Sequence, residues 1–442
     1  MKEKIMTETI LIAIFAASLL GAIAAGLSVL VPLALGFFIF FGYGLFRGFS
    51  PAVMLREALK GVSTVKTILT IFIFIGMLTA VWRAGGTIAF IVYHAAGVCT
   101  PALMLPACFI LCAMLSVLTG TSFGTSATMG VICMTMADSM GLPQVLSGGA
   151  ILAGAFYGDR CSPMSTSALL VSELTGSGIY TNIKNMIKTA VVPTLLTIAF
   201  YTAAGMFWGG SGLHENVGEV LETGFSLSVL TLIPALLVIV LSLAKVKVRM
   251  VMACSIAAGA LVCIFVQHMS LYDLALTLVK GFSPQDPDLA ALMSGGGILS
   301  MVRVAAIVCI SSSYAGMFEA TGFLKNFKSM ILGLCRRTGN FAGTMMVSMI
   351  TCMVTCNQSL SIILVNQLTG DVEPVKEKKA LYLEDTVVVM AALIPWSIAG
   401  AVPLDTVGAP LTAMAAAFYL YAQPLWSLLV FRRKKVILKN KS

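Results

Sequence analysis

The chain has 442 residues, 58% of them hydrophobic and only 11% charged, with a net charge of +9. Soluble globular domains carry about 25% charged residues, so a water-soluble fold is excluded and an all-α polytopic membrane protein is expected. The basic surplus lies in short stretches between apolar runs and at the C-terminus, which sets topology in a bilayer rather than forming a nucleic-acid surface.

Lys2 and Lys4 precede the first apolar run, Ile10–Leu30. It is longer than a secretory h-region and a second run follows almost at once, so a retained helix is expected. Further runs span Thr67–Val81, Ala190–Met206, Leu227–Leu243 and Met250–Val266. Each is close to the roughly 20 residues that cross the hydrocarbon as a helix, and roughly ten to twelve hydrophobic elements are expected in all. Arg47, Arg56, Lys60 and Lys66 follow the second run; Lys245, Lys247 and Arg249 separate two later ones. Arg432, Arg433, Lys434, Lys435, Lys439 and Lys441 close the chain. By the positive-inside rule these segments are cytoplasmic, with both termini inside. Residues 208–224 hold Glu215, Glu219 and Glu222 and no Lys or Arg, as an external loop would. The 11 cysteines fall mostly inside apolar runs (Cys108/Cys112, Cys352/Cys356), with neither a disulfide framework nor zinc spacing. His94, His214 and His268 are scattered and form no ligand cluster.

Two segments resemble each other: Glu57–Ser63 (EALKGVS) and Thr277–Ser283 (TLVKGFS). Each is followed by a run containing Gly-Met, at Gly76-Met77 and Gly316-Met317. The first copy lies in a basic segment. The second lies near Asp273, Asp286 and Asp288 with one lysine. Opposite charge settings imply opposite orientation, hence a first transmembrane repeat over residues 1–207, an external loop over 208–224, and a second, inverted repeat over 225–442.

Four stretches interrupt the apolar runs. Leu118–Ser126 packs Gly120, Thr121, Ser122, Gly124 and Thr125 into nine residues. Residues 158–166 bring Asp159, Arg160, Ser162, Pro163, Ser165 and Thr166. Thr355–Ser361 contains Asn357, Gln358 and Ser359. Finally, Glu384 and Asp385 precede Pro395-Trp396 and Pro403, with Asp405 beyond. An unpaired backbone group in hydrocarbon costs several kcal/mol, so irregular backbone belongs where protein or water lines a cavity. Proline breaks a helix there by removing a hydrogen bond. Discontinuous helices and re-entrant hairpins are therefore expected, with oxygen donors suited to a small hard cation. Thr121, Ser122, Asp159 and Asn357 are the candidate Na+ ligands. Other readings stand beside these: hydroxyls that only pack and bond backward, Asp159 paired with adjacent Arg160, and Glu384 and Asp385 opening a surface helix after Lys376, Lys378 and Lys379.

The runs GTSFGTSATMG, GAILAGAFYGDRCSPMS and LEDTVVVMAALIPWSIAGA, in that order, resemble the NhaC-type Na+/H+ antiporter family, and the resemblance covers essentially the full length. It implies secondary active transport in a bacterial inner membrane, inverted repeats with opposed hairpins, no cofactor beyond transported Na+ and H+, and a homodimer. Thr121, Ser122 and Thr125 match the family's Gly-Thr-Ser hairpin, and Asp159, Ser162 and Pro163 its Gly-Asp-x-x-Ser-Pro break. Glu384-Asp385 and Pro395-Trp396 match its second-half motifs. One position departs: where the family usually has aspartate, this chain has Thr166. That keeps open a second function, Na+- or H+-coupled movement of a small organic acid or amino acid, with Arg160, Asn357 and Gln358 contacting it. An intramembrane enzyme is not expected, since neither GxGD nor HExxH occurs; without GxxxxGK[ST], ATP-driven pumping is not expected either.

Overall fold

The computed structural model describes residues 2–25, 27–95, 100–208, 217–244, 246–323 and 338–439. Among these the chain is helical, with no strand beyond an antiparallel bridge between Phe282 and Gly295. The first half runs α1 (Lys2–Ala24), α2 (Leu30–Phe46), α3 (Pro51–Ser63), α4 (Lys66–Ala84), α5 (Thr87–Ala95) and α6 (Pro101–Thr119). It continues through α7 (Ser122–Thr125), a π-helical turn (Ser126–Gly130), α8 (Val131–Ser139), α9 (Gln144–Cys161), α10 (Thr166–Thr175) and α11 (Ile179–Trp208). The second half begins with α12 (Val217–Gly224), α13 (Ile233–Leu243), α14 (Val248–Phe265), α15 (Leu271–Lys280), α16 (Pro287–Met293) and α17 (Val302–Thr321). Then follow α18 (Asn340–Thr355), α19 (Gln358–Thr369), α20 (Lys376–Leu383), a second π-helical turn (Glu384–Val388), α21 (Ile398–Val407) and α22 (Phe418–Lys439).

Six of the described helices are long and apolar enough to cross a membrane, and eight spans result if each of two bent pairs counts as one. Shorter apolar helices add Met6–Leu19, Leu30–Phe46 and Asn340–Thr355. The polytopic α-helical class expected from composition is the one observed.

Of the segment 208–224 expected as an external loop, residues 209–216, with Glu215, lie outside the described residues. Residues 217–224 form α12, which packs on α5 and α16 and meets the next helix at 99°. Leu221 faces inward while Glu219 and Glu222 stay exposed, so an amphipathic helix accounts for acids that charge counting assigned to a loop.

The EALKGVS and TLVKGFS segments occupy matching places. Ser50 caps α3 by accepting from the Val53 N–H, and Ser270 caps α15 by accepting from the Asp273 N–H. Each cap is followed by lysine and glycine at the same spacing, Lys60-Gly61 and Lys280-Gly281. Each amphipathic arm then packs on the Gly-Met span of the other half, α3 on α17 and α15 on α4. Small residues make these crossings possible. A Cβ on Gly316 would lie 1.8 Å from the Glu57 carbonyl oxygen, and one on Gly61 2.3 Å from that of Ser312. Gly316→Ala should therefore destabilise the protein by about 1–3 kcal/mol, the usual cost of overpacking. The melting temperature in detergent reads this, with Gly42→Ala, which meets nothing within 4 Å, as the unperturbed control.

Candidate functional site

Four interruptions organise the interior, as two tips and two kinks. At the first tip α6 ends on Gly120 in the left-handed region (φ 67°) and Thr121 is extended (φ −146°, ψ 125°). Thr121 Oγ1 accepts from the Gly124 N–H at 3.3 Å and restarts the helix. The second tip repeats this: α18 ends on Cys356 (φ 56°), and Asn357 is extended (φ −137°, ψ 125°). Asn357 Oδ1 accepts from the Leu360 N–H at 3.2 Å. Glycine takes the left-handed conformation without a Cβ clash, which is why Gly-Thr marked the first tip in the sequence and Cys-Asn left the second less marked.

The kinks also match. Ser162 (φ −96°, ψ 134°) leaves α9, Pro163 follows, and Ser165 Oγ caps α10 by accepting from the Ser167 and Ala168 N–H groups. Ile394 (φ −92°, ψ 114°) is followed by Pro395, and Ser397 Oγ caps α21 by accepting from the Ala399 N–H. Each kink stitches to the tip of its own half. Ser162 Oγ donates to the Val117 carbonyl at 2.7 Å, and Trp396 Nε1 donates to the Met353 carbonyl at 2.8 Å. Both acceptors lie three residues before the left-handed residue. Backbone groups freed by breaking the helices thus find partners inside the protein, as a bilayer demands.

Asp159 sits where the first kink meets the second tip, only 4% exposed. Its carboxylate accepts from Ser165 Oγ at 3.0 Å and from Gln358 Nε2 at 3.0 Å. Gln358 Nε2 also donates to the Val388 carbonyl at 2.9 Å, and Ser167 Oγ donates to the Asp159 carbonyl at 3.1 Å. The pairing of Asp159 with adjacent Arg160, one reading of the sequence, is not what forms. Neighbouring residues on an α-helix point about 100° apart, and Arg160 turns to Asp385 instead.

Arg160 and Asp385 form an ion pair with both side chains fully buried. Arg160 Nε donates to Asp385 Oδ1 at 3.0 Å, and Nη2 reaches the same oxygen. The remaining guanidinium hydrogens go to Thr189 Oγ1 (2.7 Å), the Met186 carbonyl (3.1 Å) and Tyr419 Oη (3.3 Å). Ser427 Oγ donates to the other oxygen of Asp385 at 2.6 Å. Arg160 is therefore spoken for within the protein, and the expectation that it reaches a substrate carboxylate does not fit this arrangement.

Glu384 and Asp385 do not open a surface helix. α20 begins at Lys376, and the two acids lie eight and nine residues on, in the buried π-helical turn. Glu384 is 0% exposed and neither carboxylate oxygen has a hydrogen-bond partner.

The remaining candidates divide. Ser122 and Thr125 are buried at the first tip, where Thr125 Oγ1 donates back to the Thr121 carbonyl at 2.8 Å. Gly124 packs against the Thr121 methyl. Trp396 is buried in its kink, whereas Thr166 is exposed at the start of α10. Asn357 and exposed Ser359 line a cavity of about 280 Å³ with Lys60, Ser312 and Glu319. Of the four proposed Na+ ligands, Thr121 and Asn357 each cap their own helix. The hydrogen bonds to Asp159 come instead from Ser165 and Gln358. Sequence reasoning missed Ser167, Thr189, Tyr419 and Ser427. The last two had a signal: Tyr419, Gln423 and Ser427 are buried polar residues four apart, a stripe on one face of α22.

The sequence pattern of the Na+/H+ antiporter family matches residues 1–178 and 158–430. The chain is 28% identical over 352 residues to the malate-2H(+)/Na(+)-lactate antiporter of Bacillus subtilis (strain 168), covering 78% of this chain and 75% of that one. It is 26% identical over 418 residues to the Na(+)/H(+) antiporter NhaC of the same organism, covering 92% of each. With the arginine/ornithine antiporter ArcD of Halobacterium salinarum (strain ATCC 700922 / JCM 11081 / NRC-1) it shares 25% identity over 366 residues, 79% of this chain and 75% of that one. The family match spans both tips and both kinks, and with it the chain belongs to the Na+/H+ antiporter family.

Proposed function

We propose that this protein is a secondary active transporter of the cell membrane that exchanges Na+ for H+ by alternating access. The observation that carries the proposal is Asp159, a buried carboxylate at the junction of broken helices from the two halves, with no cationic side chain paired to it among the described residues. Carboxylate and hydroxyl oxygens from Asp159, Ser165 and Ser167, with the Gln358 amide N–H steadying the carboxylate, are ligands of the kind a hard cation takes. A proton and a sodium ion compete for the same carboxylate, and that competition couples their movements.

The matched tips and kinks, and the exchanged amphipathic arms, support two repeats over residues 1–207 and 225–442. Their opposite charge settings support an inverted relation, with both termini cytoplasmic. Rocking or sliding one repeat's tip and kink against the other's exposes Asp159 to either side in turn.

A second reading is exchange of a small carboxylate or amino acid. The cavity of about 280 Å³ beside Asn357 and Ser359 favours it, being larger than a bare cation needs and carrying Lys60 and Glu319. Thr166 in place of the family's usual aspartate points the same way, as do the names of the malate/lactate and arginine/ornithine relatives.

Dye-reported pH gradients in proteoliposomes separate the two. Sodium is expected to collapse the gradient and potassium to leave it standing. Should no cation move protons in vesicles of folded protein, sodium/proton antiport falls, and small carboxylates and amino acids become the substrates to load.

A further inference from the structure

We propose that Glu384 is a second proton carrier, separate from Asp159, so that each cycle moves more protons one way than sodium ions the other and the exchange is electrogenic. The inference rests on the antiport reading above and adds its charge balance.

Three buried acids lie close in this interior, and two are held. Asp385 has Arg160 and Ser427; Asp159 has Ser165 and Gln358. Glu384 has no hydrogen bond at either oxygen and no exposure. A buried carboxylate without partners is costly to keep ionised, and acids retained for structure are paired. The charged groups that act on Glu384 are Arg160, Asp159 and Asp385, with the Cys161 thiol beside them. Arg160 is matched to Asp385, which leaves Asp159 and Glu384 as uncompensated acids. One sodium ion satisfies one of them. Neither oxygen of Glu384 is hydrogen-bonded, so no hydroxyl or amide is arranged on it as Ser165 and Gln358 are on Asp159; a proton needs no such shell, whereas a sodium ion takes several oxygens.

The backbone links the two acids. Glu384 opens the five-residue π-helical turn and Val388 closes it. The Val388 carbonyl takes a hydrogen bond from Gln358, whose same amide group holds Asp159. π-helical turns recur at functional sites, and this one lies just ahead of the 53° bend at the second kink.

In the cycle, the proton-loaded carrier holds Asp159 and Glu384 as neutral acids. Both protons leave on one side, and sodium binds the Asp159 carboxylate while Glu384 stays ionised. On the other side sodium leaves and both acids are reprotonated. The proton-loaded form is one positive charge above the sodium-loaded form, so the membrane potential acts on the cycle.

The test compares wild type with Glu384→Gln in proteoliposomes, measuring the proton-to-sodium ratio and the response to a potassium/valinomycin potential. Glu384→Gln is expected to keep sodium-driven proton movement, lose its response to potential, and show a ratio lower by about half. Its melting temperature in detergent should be no lower than wild type, because no hydrogen bond is removed. A variant with the wild-type ratio and potential response overturns the proposal. So does a variant that unfolds, which makes Glu384 structural, or a wild type indifferent to potential. A wild type that exchanges no cation for protons removes the antiport reading itself, and this inference with it.

Discussion

Vesicles carrying Asp159→Asn should keep their pH gradient when sodium is added, with exchange lowered by roughly 10–100-fold or more. The asparagine nearly matches the aspartate in size but cannot release a proton or supply a negative charge to sodium. It also reverses half of the local hydrogen bonding. Ser165 Oγ and Gln358 Nε2 both donate to the carboxylate, and an amide offers one acceptor and one donor group in its place. Hydrogen bonds to a charged group are worth about 1.5–3 kcal/mol, which corresponds to that fold-change in affinity. A second readout separates binding from movement: sodium should raise the melting temperature of wild type and leave that of Asp159→Asn where it was. Exchange at the wild-type rate in the variant would move the ion site away from Asp159 altogether.

Arg160→Met should lower stability by about 3–5 kcal/mol, more than Gly316→Ala or Asp159→Asn. Removing the guanidinium leaves Asp385 charged and fully buried with only Ser427 against it. It also strips partners from Thr189, Tyr419 and the Met186 carbonyl. The pair joins α9 and α11 of the first half to the π-helical turn and α22 of the second. Its loss therefore unfastens the halves rather than one helix. Arg160→Lys should rescue little, since an ammonium cannot fork across four acceptors. Arg160→Met with Asp385→Leu should recover most of the loss, because apolar replacement of a whole buried pair is often neutral. Yield of monodisperse protein in detergent and its melting temperature check all three. A stable Arg160→Met would show that the pair is not the brace between the halves.

The four interruptions were legible because hydrocarbon leaves little choice: glycine, proline and clustered hydroxyls inside an apolar run mean a broken helix. Their partners were not legible. Asp159 meets Gln358 and Arg160 meets Asp385 about 200 positions apart in sequence, and adjacency in the chain suggested the wrong ion pair. A similar local cue offered a surface helix start as the second reading of Glu384 and Asp385. The lysines at 376, 378 and 379 mark where a helix begins, but two turns of helix carry the chain from there into the interior. Charge alone read residues 208–224 as a loop and gave no sign of the short helix at Val217–Gly224.

Gly120 and Cys356 hold the same left-handed turn, yet only one of them does so freely. For a residue with a Cβ that conformation costs about 1–2 kcal/mol, and for glycine almost nothing. The second tip is thus kept in shape by its neighbours, through the Ile398 N–H on the Cys356 carbonyl and the Trp396 indole on Met353. Those two contacts offset a strain that the first tip does not carry. A glycine at 356 would hold the same turn without leaning on those two contacts, as Gly120 does at the first tip.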